Sequence, residues 1–79
     1  MNLTELSPGL KGRVKGVCHL ENYQATICRQ LEDIGFLPGE QVEVLRKSIF
    51  SRGAILARVG SSTFALSEVE ARMVEVELL

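Results

Sequence analysis

Cys18, His19 and Glu21 crowd one short stretch, and Cys28 follows a little further on. Thiolate, imidazole and carboxylate are the donors that zinc takes, and the softer ones also suit iron. Neighbouring residues of a strand point to opposite faces, so Cys18 and His19 do not easily share one ion while strand geometry lasts. Cys28 falls on an apolar helical stripe and reads as a small buried hydrophobe, and His19 reads as a solvated side chain. The metal candidates are Cys18, His19 and Glu21, holding zinc or iron adventitiously or at an interface. No cofactor is required.

Catalysis finds no support in the residues. There is one histidine, and no carboxylate is spaced to orient it in a triad. Gly9-Leu10-Lys11-Gly12 lacks both the spacing and the Lys-Ser/Thr pair of a phosphate-binding loop. We expect a chain that is not an enzyme.

Binding chemistry is better represented. Arg46, Lys47 and Arg52 flank Ile49 and Phe50, which places aliphatic and aromatic anchors inside a basic rim. Arginine and aromatic side chains are enriched at interface hot spots. Beside a membrane the same charges would favour the anionic cytoplasmic leaflet. The competing reading folds Ile49 or Phe50 back over a barrel end. A second apolar set, Tyr23, Phe36 and Leu37, brackets the helix and could line a cleft for a partner peptide; core packing is the competing reading for Leu37. The expected partner-binding residues are Tyr23, Phe36, Leu37, Arg46, Lys47, Ile49, Phe50 and Arg52.

These residues need a scaffold, and the chain is short. Its 79 residues fit one small domain spanning 1–79. Charge is nearly balanced, with nine basic and ten acidic residues. That balance disfavours disorder and disfavours nucleic-acid binding by bulk charge. The start at Met1 has no basic region or apolar run of a signal peptide, and two cysteines make at most one disulfide. A cytoplasmic protein with reduced thiols is expected.

Periodicity supplies the elements. Gly12 to Cys18 alternates as a strand, and its two glycines predict a bulge, a sharp bend or a close backbone approach. From Asn22 the period becomes helical, with Ile27, Cys28, Leu31 and Ile34 on one stripe, Asn22 as N-cap and Gly35 at C′. Leu37-Pro38-Gly39-Glu40 reads as a type II turn. Gln41–Lys47 alternates again. Residues 54–59 and 63–66 form a hairpin about Gly60-Ser61-Ser62. Ser67 with Glu70 is a capping box opening one helical turn, and Val74–Leu78 is a last strand. The fold is mainly β with one inserted helix, a small SH3-like barrel of about five strands.

Leu6 and Gly9 with Gly12-Arg13-Val14-Lys15-Gly16, then Arg29-Gln30-Leu31 with Ile34-Gly35-Phe36-Leu37-Pro38-Gly39, then Phe64 to Ala71 with Val74-Glu75-Val76, are similar in order and spacing to the FeoA family. Those small cytosolic proteins of bacterial ferrous-iron transport share an SH3-like barrel with the C-terminal domain of DtxR-type repressors. The resemblance implies a non-enzymatic accessory or regulatory protein that binds the cytosolic part of a FeoB-type GTP-binding permease, peripheral to the membrane. Two alternatives are an SH3-like domain regulating a metal-dependent repressor and a small-barrel nucleic-acid-binding protein; the main reading expects no nucleic acid. The strand ending Glu77-Leu78-Leu79 offers an edge through which a homodimer could form.

Overall fold

Alternating valines define the strands, and the side they share defines the core. The computed structural model describes residues 1–17, 25–48 and 53–79. Strands β1 (Lys11–Val17), β2 (Gln41–Lys47), β3 (Ile55–Val59), β4 (Ser62–Leu66) and β5 (Val74–Leu78) form one antiparallel sheet in the order β4-β3-β2-β1-β5. Val14, Val42, Val44, Ala57, Val59, Val74 and Val76 point to the buried side. No polar or charged side chain is buried among the described residues.

Both strand glycines behave as their positions demand. The β1–β5 register slips between Val14 and Gly16, which is a bulge. At Gly12 the neighbouring strand comes so close that a Cβ would lie 2.9 Å from the Glu77 carbonyl oxygen. A second bulge, between Val44 and Arg46, bends β2.

Helix α1 (Ala25–Asp33) lays Cys28 and Leu31 into the core, with Ile27 half-buried. Asn22, the expected N-cap, lies outside the described residues. The helix ends in a Schellman arrangement. The Phe36 N–H donates to the Leu31 carbonyl at 3.0 Å and the Gly35 N–H to the Glu32 carbonyl at 3.1 Å, with Gly35 at φ 122°. Ile34 departs from the expected buried stripe and is 39% exposed. The chain turns immediately after it, so Phe36 takes the inward place instead.

The type II turn forms, with Gly39 at φ 92° and the Glu40 N–H donating to the Leu37 carbonyl at 3.1 Å. The short helix α2 (Glu68–Arg72) opens on the expected box. Ser67 Oγ accepts from the Glu70 N–H at 3.2 Å, and Glu70 Oε1 accepts from the Ser67 N–H at 2.8 Å. A second box stands at the N-terminus, where Asn2 caps a 3₁₀ turn over Leu3–Glu5 that buries Leu3 and leads into buried Leu6. The sequence reading missed it, although Asn2 followed by Glu5 is its signature.

Candidate interaction surface

Of the expected partner-binding residues, Phe36, Leu37, Arg46 and Lys47 lie among the described residues, and these four fall into two groups. Phe36 and Leu37 precede β2, whereas Arg46 and Lys47 end it. Tyr23, Ile49, Phe50 and Arg52 lie outside the described residues, as do the metal candidates Cys18, His19 and Glu21. Among the described residues no group of three histidine, cysteine or acidic side chains is placed to hold a metal.

Phe36 is corrected from a surface contact to a core residue. It is fully buried, with its ring 6.3 Å from that of Phe64 and tilted 53° to it. The helix stop explains this, because the residue after the C′ glycine characteristically packs back on the last turn. Leu37 faces the other way, 45% exposed, so the competing core assignment fails for it. With Ile34 it forms an exposed apolar pair flanking Gly35.

At the far end of β2, Arg46 is exposed and stands opposite Leu56. Lys47 is half-buried, and its Nζ donates to the Thr4 carbonyl at 2.7 Å, which gives it a structural tie. The Ser48 N–H donates to the Ala54 carbonyl at 2.9 Å, closing the stem that leads to and from residues 49–52. Gly53, at φ 83°, sits against Glu68: a Cβ there would approach the carboxylate oxygen to 3.1 Å. Glu68 in turn pairs with Arg72 one helical turn later. The stem of the basic segment is therefore braced by both the 3₁₀ turn and α2.

The outward face of the sheet carries a further charged array. Lys11, Glu43, Arg58 and Thr63 lie in one cross-strand row, with Arg58 4.0 Å from Glu43. Beside it an open cleft of about 340 Å³ is lined by Lys11, Glu40, Gln41, Val42, Glu43, Arg58 and Gly60. Strand alternation reveals the outward residues, but the row depends on register across three pairings and is invisible in sequence.

The sequence model of the FeoA domain matches residues 1–78. No curated protein sequence matches significantly. Among solved structures, the chain is similar to a FeoA from Stenotrophomonas maltophilia complexed with zinc, a procaryotic SH3 domain protein described as a candidate ferrous iron transport activating factor. The identity is 35% and the TM-score 0.85, over 98% of this chain and 89% of that one. FeoA from Chlorobium tepidum is similar at 26% identity and a TM-score of 0.84, over 100% of this chain and 70% of that one. A manganese-dependent transcriptional repressor shares the fold at 21% identity and a TM-score of 0.85, over 100% of this chain and 36% of the repressor.

Proposed function

Because this chain belongs to the FeoA family, we propose that it is a non-enzymatic accessory protein that raises ferrous-iron transport by binding the cytosolic part of a FeoB-type permease. The match over residues 1–78 carries this reading. The surfaces suit it. An accessory module needs contact area on a rigid scaffold, and this one offers the exposed Ile34–Leu37 pair at one end of β2 and basic Arg46 on a braced stem at the other. No helix among the described residues is long and apolar enough to cross a membrane, so the proposed contact is peripheral. The polarity of the charges is also suitable: basic groups gather along β1, β2 and β3, acidic ones on α2 and β5, which favours one docking orientation over others.

The test is uptake of radioactive ferrous iron by bacterial cells that have the permease but lack their own FeoA-type protein. Expression of this chain should restore uptake. Unchanged uptake with the chain present as folded protein would contradict the proposal.

A further inference from the structure

The two edges of the sheet are treated differently. At β5 the chain's own N-terminus covers the edge: the Val76 N–H donates to the Met1 carbonyl at 2.8 Å, and Asn2 bridges to Glu75. Two carboxylates, Glu75 and Glu77, add charge to that strand. Covering and charging an edge are the usual defences against stray pairing.

Among the described residues nothing pairs with the outer edge of β4, and the strand itself carries no charge. Ser62-Thr63-Phe64-Ala65-Leu66 contains no charge and no proline, and its register with β3 runs without a bulge. The hairpin fixes which backbone groups are spoken for. Only Gly60 and Ser61 separate the opposed pair Val59 and Ser62, so that pair exchanges hydrogen bonds, as do Ala57 with Phe64 and Ile55 with Leu66. The N–H and C=O groups of Thr63 and Ala65 therefore point away from β3. Among the described residues, no strand pairing or backbone hydrogen bond meets them. Both side chains are exposed.

The charge directly opposite Thr63 is basic. Arg58 stands directly opposite Thr63 with its side chain 51% exposed, and its only ion pair within 4.0 Å among the described residues is the loose one with Glu43 on the side away from β4. Thr63 is short. An added strand would lie two spacings of about 4.8 Å from β3, close enough for Arg58 to reach over Thr63 to a carboxylate on it.

We propose that the outer edge of β4 accepts an extended acidic peptide segment of a protein partner as a sixth strand, with a partner carboxylate over Thr63 paired to Arg58. Main-chain bonds to Thr63 and Ala65 supply affinity, and Arg58 supplies the preference for acid. The proposal deepens the accessory reading by giving a form to its protein contact. Its test needs no permease, so a failed uptake experiment leaves it standing and its own failure leaves the uptake experiment standing.

The probe is a blocked peptide of about eight residues alternating valine and glutamate, a length that matches a typical strand, titrated into the isotopically labelled full chain. Hydrogen exchange at the Thr63 and Ala65 amides should slow by about tenfold or more at saturation. A valine–lysine peptide should bind at least about tenfold more weakly. Ala65→Pro should abolish binding while leaving the β3 ladder whole, because the N–H it removes points outward. Arg58→Glu, a change on the exposed face, should invert the preference between the two peptides and keeps the test open if Ala65→Pro does not fold. The proposal is overturned if the glutamate peptide protects no β4 amide, if it protects β5 instead, or if binding survives Ala65→Pro. Concentration-dependent protection of β4 without peptide would assign the edge to a second copy and overturn it equally.

Discussion

The Lys47 ammonium donates to the Thr4 carbonyl at 2.7 Å, tying the far end of β2 to the N-terminal 3₁₀ turn. Two segments more than half the chain apart are thereby joined where the basic stem leaves the sheet. A bond from a charged donor in a half-buried place contributes about 1–2 kcal/mol. Lys47→Met should keep the aliphatic stem and lose the bond. In a domain of this size about 1 kcal/mol lowers the melting temperature by about 4–8 °C, so a fall of that order is expected. An unchanged melting temperature would show that the tie does not stabilise the fold.

The strand glycines should separate cleanly. At Gly12 a methyl would meet the Glu77 carbonyl oxygen at 2.9 Å and Leu6 at 3.4 Å, whereas at Gly16 nothing lies within 4 Å. Gly12→Ala is expected to cost about 1–3 kcal/mol through overpacking. Gly16→Ala should be neutral or stabilising by up to about 1 kcal/mol, because it restricts the unfolded chain. Denaturant midpoints of the two variants decide this, and equal losses would contradict the register assigned to β1 and β5.

Phe36 and Leu37 are chain neighbours with opposite fates. Phe36→Ala should cost about 3–5 kcal/mol, the range for emptying a buried aromatic site. Leu37→Ser, at an exposed position, should stay within about 0.5 kcal/mol of the parent. If the exposed pair meets a partner, Leu37→Ser should weaken capture of the permease at an unchanged melting temperature. A large loss of stability would return Leu37 to the core.

Ser67 caps α2, and Glu70 answers it. Ser67→Ala should lower stability by about 1 kcal/mol. The effect should appear in amide exchange of Glu70, whose N–H loses its acceptor. No change there would mean that the box contributes nothing in this context.

Much of the fold was legible because its local signals agree. Val42 with Val44, Gly35 after Leu31, Pro38-Gly39 and Ser67 with Glu70 each name an element or its end, and each of these formed where expected. Local pattern failed where a tertiary choice intervened. Ile34 continues the helical stripe, yet the reversal at Gly35 turns it outward and draws Phe36 in. Lys47 looked like part of a binding rim because its acceptor, Thr4, is remote in sequence. The edge position of β4 was equally hidden, since strand order is set by long-range pairing. Of the partner set, residue types were readable, but the burial of Phe36 and the tie of Lys47 to Thr4 were not.

The proposed function rests on a physical contact between this protein and a FeoB-type permease. The most direct measurement is co-purification of the full chain with the detergent-solubilised permease, with and without guanine nucleotide. Stoichiometric, saturable association in at least one nucleotide condition is predicted. No association in either condition, with both proteins folded, would contradict the account.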